Sequence, residues 1–156
     1  MNRFFLFFIL LFVFLVVQLT FLSRFSFFQV KPDLIFVFLI LWAARCGPLE
    51  GAIFGMLVGL LVDSFGYGVP LYFLSYTIFG VLAGWGSLRF IEGRLFQVVP
   101  WVFGFSVVAF LFQYFLLEFF SRGQLSFSFF FLIVSASLNA LVAPVLYPVF
   151  FVGSKK

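Results

Sequence analysis

Apolar runs broken by short polar or Gly/Pro punctuation fill this chain from Phe4 to Phe151. The breaks predict six helices, at roughly 4–22, 34–44, 49–62, 71–88, 97–117 and 129–151. None of the runs shows the apolar/polar alternation of a membrane β-strand. The second and third runs are short against the roughly 20 residues that cross a bilayer. Between them lies Arg45-Cys46-Gly47-Pro48. Proline has no amide hydrogen and disfavours helix at the residue before it, so this tetrapeptide predicts a break. The preferred reading is six spans, with the two short runs forming a helical hairpin. The alternative joins 34–62 into one long kinked span and leaves five.

The third run carries a distinctive stripe, Gly51-Ala-Ile-Phe-Gly55-Met-Leu-Val-Gly59-Leu-Leu-Val-Asp63. A spacing of four places Gly51, Gly55, Gly59 and Asp63 along one helix face. Three glycines make that face a groove that admits another helix at close range. Two occupants fit it. One is the fourth run, whose Gly80 and Gly84 repeat the small-x-x-x-small spacing; the other is the transmembrane helix of a partner. Asp63 falls near the C-terminal end of its helix, where the helix dipole disfavours a carboxylate, and membrane depth adds a further cost. The residue therefore calls for a cation, a backbone donor or another protein. The bland reading is a solvated start to the turn Ser64-Phe65-Gly66-Tyr67-Gly68. Asp33, in Lys31-Pro32-Asp33-Leu34, reads as a helix N-cap.

Composition narrows the class. Of 156 residues, 65% are hydrophobic and 9% charged, against about 25% charged in soluble domains, so the chain reads as an all-α membrane protein of one domain. The net charge of +4 fits basic loops at a membrane and requires no nucleic acid. Arg3 followed by Phe4 to Leu22 has an apolar stretch too long for a signal peptide and no small-x-small cleavage site, so it reads as a retained first helix. With six spans, one side carries Arg3, Arg45, Arg89, Arg94, Lys155 and Lys156 and the other Arg24, Lys31 and Arg122. Both the six-span and the five-span readings then place the C-terminus and the loop 89–96 in the cytoplasm.

Enzyme chemistry lacks its inventory. There is no His, and Cys46 is the one cysteine, so neither a zinc site, a Cys/His pair nor an internal disulfide is expected. No Gly-x-Ser-Gly serine site occurs, and Gly66-Tyr67-Gly68 is followed by Val69 rather than the aspartate of an intramembrane aspartyl protease. No cofactor is expected. Arg45 and Glu50 flank the Gly-Pro break, Glu118 and Arg122 are spaced to pair, and Gln113, Ser135, Ser137 and Asn139 are the main polar groups within the last two runs. The 31 Phe residues read as lipid-facing and core filler.

Several of these residues together resemble the MreD family of rod shape-determining membrane proteins. They are the Lys31-Pro32-Asp33-Leu34 entry, Trp42, the stripe Gly51, Gly55, Gly59-Leu60 and Asp63, and a Gly-bearing turn into a helix with Gly80 and Gly84. Length and hydropathy fit along essentially the whole chain. The resemblance implies a non-enzymatic, multi-pass subunit of the bacterial cytoplasmic membrane that belongs to the cell-elongation machinery. The implied partners are MreC, a single-span protein with a coiled coil and an external β-domain, and, directly or indirectly, the MreB filament, the glycosyltransferase RodA and its transpeptidase. It also implies a fold similar to the substrate-binding subunits of energy-coupling-factor vitamin transporters. That transporter role is the alternative function. It needs a polar pocket and a small-residue docking surface, whereas the first run contains neither Ala nor Gly. A pore would need a ring of charge or a continuous polar face, and neither is present. A reporter fused at Met1 is expected in the cytoplasm; an external N-terminus would exclude the six-span reading.

Overall fold

One helix, buried on every side, sits at the centre of the structure. This computed structural model describes residues 32–65, 70–90, 95–121 and 128–151, together with positions 9, 12–13, 16–18 and 20. Among the described residues all regular structure is helical: α1 (Leu34–Cys46), α2 (Pro48–Ser64), α3 (Leu71–Phe90), α4 (Leu95–Ser121) and α5 (Phe129–Phe151). Ile9, Phe12, Val13, Val16, Val17, Gln18 and Thr20 are also helical. The charged positions Arg3, Arg24, Lys31, Glu92, Arg94, Arg122, Lys155 and Lys156, and the turn Gly66 to Gly68, lie outside the described residues. Arg89 falls in α3, but its side chain is not described.

Helix α1 is the centre because it has no polar face. Ile35, Phe36, Val37, Phe38, Leu39, Ile40 and Leu41 are all buried, and such a helix has to be surrounded. Helices α2, α3 and α5 pack around it, with a lesser contact from α4. The ends of α1 are set locally. Asp33 caps its start, accepting from the Phe36 amide at 3.1 Å. Gly47 ends it with φ 110° and ψ 177°, a region open essentially to glycine alone, and Pro48 then opens α2 at a position where no amide donor is needed.

The chain folds back at Gly47, so the joined reading of 34–62 as a single kinked helix does not hold. The rings of Phe38 and Phe54 lie 6.0 Å apart, and Trp42 also meets Phe54. One continuous helix would separate residues 38 and 54 by about 24 Å. The break forms because two constraints coincide: Gly47 supplies the turn and Pro48 cannot continue the ladder.

Helices α2 and α3 form the most extensive pairing, and it is antiparallel. Along it Gly51 meets Gly80, Gly55 meets Tyr76 and Gly59 meets Phe73, one turn at a time, while Gly84 meets the Gly47–Pro48 bond. A Cβ on Gly55 would run into the Tyr76 carbonyl, and one on Gly59 would lie 2.5 Å from the Phe73 Cα. The obstructing atoms belong to backbone and cannot rotate away.

Among the described residues two helices contain stretches long and apolar enough to cross a membrane, Phe96–Phe120 in α4 and Phe129–Pro148 in α5. Large apolar side chains also lie exposed along the outer faces, among them Leu49, Trp85, Phe96, Phe115 and Leu141.

Gly55→Ala is expected to lower the thermal midpoint in detergent, at an overpacking cost of about 1–3 kcal/mol. Gly104→Ala is the control, because nothing lies within 4 Å of the added methyl, and its midpoint should not fall. Equal midpoints for the two variants would contradict the close α2–α3 contact.

Candidate functional site

The glycine stripe and both aspartates converge on the α1–α2–α3 unit, and each is used inside the chain. Gly51, Gly55 and Gly59 face α3 along its length, with Gly80 and Gly84 on the facing surface. The groove is therefore filled by the fourth predicted helix, and no open face remains there for a partner. The sequence admitted both occupants because spacing alone shows that a helix can approach, not which one does.

Asp63 finds backbone donors. Its two carboxylate oxygens accept from the Tyr72 amide at 3.1 Å and the Phe73 amide at 2.8 Å. These amides belong to the first turn of α3, where N–H groups have no partner within the helix. Helix α3 thus begins on a carboxylate supplied by the end of α2. The positive end of the α3 dipole offsets the negative end of α2, which explains an acid at an otherwise unfavourable position. Asp63 is thus bound to α3 within the chain rather than left free to set the depth of an incoming helix.

Asp33 carries more than a cap. Oδ1 also accepts from the Gln18 side chain at 3.1 Å, and Oδ2 accepts from the Tyr76 hydroxyl at 2.5 Å. The Gln18 side-chain oxygen Oε1 in turn accepts from the Ile35 amide at 3.0 Å. The Asp33 amide donates to Asn139 Oδ1 at 2.7 Å, and Asn139 Nδ2 donates to Ser106 Oγ at 3.1 Å. One chain of bonds therefore joins the N-terminal helical positions, α1, α3, α5 and α4. Asn139 and Ser106 are buried, so the alternative to these bonds is a polar group stranded in an apolar interior.

The remaining polar candidates do not join this network. Arg45 donates to the Phe150 carbonyl at the end of α5, where a cation suits the helix dipole. Glu50 stands exposed in the first turn of α2, and Cys46 is a free thiol. The expected partner of Glu118, Arg122, lies outside the described residues; the Tyr114 hydroxyl, one turn earlier in α4, neighbours the Glu118 carboxylate. Gln113, Tyr114 and Tyr72 edge a shallow cavity of about 160 Å³ beside α3 and α4. Ser135 and Ser137 are partly buried in α5.

Gln18, Tyr76 and Ser106 escaped sequence reasoning. Tyr76 reads as one more aromatic in an apolar run, and Ser106 as a small residue in a helix. Gln18 is the one amide side chain within a first run made mostly of Phe, Leu and Val, which was a signal available to find it. Among the described residues no three His, Cys, Asp or Glu side chains converge to hold a metal. Compared with known proteins, the chain matches no family model, no curated protein and no solved structure.

Removing the Asp33 carboxylate leaves the Gln18, Phe36 and Tyr76 donors without an acceptor, at about 1–3 kcal/mol for each group left unbonded away from water. Removing Asp63 deletes a helix cap, worth about 0.5–2 kcal/mol. Asp33→Ala is therefore expected to lower the thermal midpoint in detergent more than Asp63→Ala does. The reverse order would show that the Asp33 network does not hold the helices together.

Proposed function

We propose that this chain is a non-enzymatic, multi-pass subunit of the bacterial cytoplasmic membrane that supports cell-wall synthesis as part of the rod-shape machinery. In this reading the six helices are six spans, both termini are cytoplasmic, and Asp33 and Asp63 lie toward the outer side. An MreC-like single-span protein is the direct partner; the MreB filament, RodA and its transpeptidase are direct or indirect ones.

One observation carries the reading. Of the residues behind the resemblance, Asp33, Gly51, Gly55, Gly59, Asp63, Gly80 and Gly84 lock three helices into one unit. Their chemistry is spent on internal contacts, as a scaffold requires. A substrate-binding subunit needs polar groups turned toward an open pocket. Here Asp33, Asn139 and Ser106 bond within one network, and the cavity edged by Gln113 and Tyr114, at about 160 Å³, falls below the roughly 300–1,000 Å³ of ligand sites. The vitamin-transporter alternative is therefore the weaker one.

With the glycine groove filled, a partner helix has to use an outward face. The outward face of α2 has the spacing for it. Leu49, Ile53, Met56 and Leu60 are exposed at intervals of four, three and four, the seam spacing of packed helices. Helix α2 also holds a single Phe, the buried Phe54, whereas exposed Phe96, Phe103, Phe115 and Phe119 line α4.

The test is purification in mild detergent from the native host, with mass spectrometry of what accompanies the chain. A single-span coiled-coil protein with wall-synthesis enzymes is expected, with lower recovery from an Ile53→Ala/Leu60→Ala variant of unchanged thermal midpoint. Recovery of ATPase subunits and a coupling membrane protein instead would overturn the proposal in favour of vitamin uptake.

A further inference from the structure

Between α3 and α4 the helices part around an apolar cleft of about 420 Å³, a volume within the range of small-molecule sites. Phe79 and Leu82 form one wall, and Pro100, Trp101, Gly104 and Val108 form the other. The cleft is a property of the packing rather than a loose seam, because its margins are fixed on both helices. Phe79 is buried and stacks edge-on against Phe105 and Phe112, and the Trp101 indole lies against Phe105 with ring centroids 4.8 Å apart. Gly86 gives the same indole its place, since a Cβ there would strike the Trp101 ring. Gly104 lies differently from the glycines of α2. Nothing stands within 4 Å of where its Cβ would be, so its missing side chain leaves space in the cleft instead of admitting a neighbouring backbone.

The dimensions select the occupant. A helix is about 10–12 Å across with its side chains and rises 5.4 Å per turn, so one turn fills roughly 420–610 Å³. The cleft would hold no more than a single turn, too little to dock a partner helix or a second copy, whose stable interface needs about 800 Å² from each side. A methylene chain fits. From Pro100 to Val108 the cleft lies about 6–18 Å along α4 from Phe96, the start of its apolar stretch. That depth lies mostly within the hydrocarbon of one leaflet, about half of a 30 Å core, and reaches just past the midplane. The lining offers rings and aliphatic carbons, the surface that an acyl chain recognises.

We propose that this cleft is a lipid site, holding one acyl chain of a bilayer phospholipid against Trp101 and over Gly104. The proposal rests on the membrane placement above and is independent of the partner and of wall synthesis. Gly104→Leu fills the cleft from its floor, and Val108→Phe narrows it from the side; both leave the α2–α3 contact and the Asp33 network untouched.

The experiment is native mass spectrometry of the full chain released from detergent, on the wild type and both variants. Wild type is expected to retain a phospholipid adduct that Gly104→Leu and Val108→Phe lose, with thermal midpoints unchanged. A second readout places the chain: in a Trp42→Phe/Trp85→Phe background, bilayers of brominated-chain phosphatidylcholine should quench Trp101, and Gly104→Leu should relieve that quenching. Equal adducts and equal quenching in wild type and variants would overturn the lipid site. So would a dimer mass that Gly104→Leu abolishes, which would make the occupant a second copy. Extraction of the wild type from membranes by alkaline carbonate would instead sink the membrane placement itself, and the two failures are told apart by that step.

Discussion

At Gly51, Gly55 and Gly59 the backbone of α2 lies against α3 with no side chain between, and this contact sets the register of what surrounds it. In hydrocarbon the association of helices gains nothing from expelling water, so close packing and polar bonds have to supply the attraction. The stripe supplies the packing, and its antiparallel register supplies the bonds. With Gly59 beside Phe73, Asp63 arrives at the open amides of the α3 start. With Gly55 beside Tyr76, the same turn of α3 that meets α2 also sends the tyrosine hydroxyl to Asp33. A shift of either helix by one turn would break both bonds together.

Much of the helical layout was legible because its signals are local. Gly47-Pro48 marks a break through the conformational limits of two adjacent residues, and Asp33 marks a helix start through a bond to an amide three positions on. The glycine stripe was legible as a docking face, but its occupant was not, because a spacing of four describes one helix and says nothing of the other. Least legible was the network around Asp33. Its bonds join residues 15, 43 and 106 positions apart, and such separations leave no periodic trace. Tyr76 and Ser106 blend into their apolar runs, and their roles exist only once α1 has been enclosed. The cleft at Gly104 was hidden for a related reason: the same residue type that closes one helix pair leaves a gap in another.

The polar groups of the interior divide into two kinds of work. Asp63 acts on one neighbouring helix through backbone amides alone, a contact within ten residues along the chain. Asp33 gathers hydrogen-bond partners from distant parts of the chain, and it can do so only where α3, α5 and the N-terminal positions have already come together. The first kind stabilises a hairpin and the second the assembled bundle. Their different reach is a physical reason for two acids in a protein with so little charge.

Both carboxylates are held by neutral donors: amides, a tyrosine hydroxyl and a glutamine side chain. Mobile ions screen attraction between opposite charges across solvent, but they have little hold on hydrogen bonds within a packed interior. Ionic strength therefore acts on the exterior of this protein and hardly on its frame. A concentrated salt wash therefore leaves the arrangement of these helices intact, because neither carboxylate depends on a charged partner.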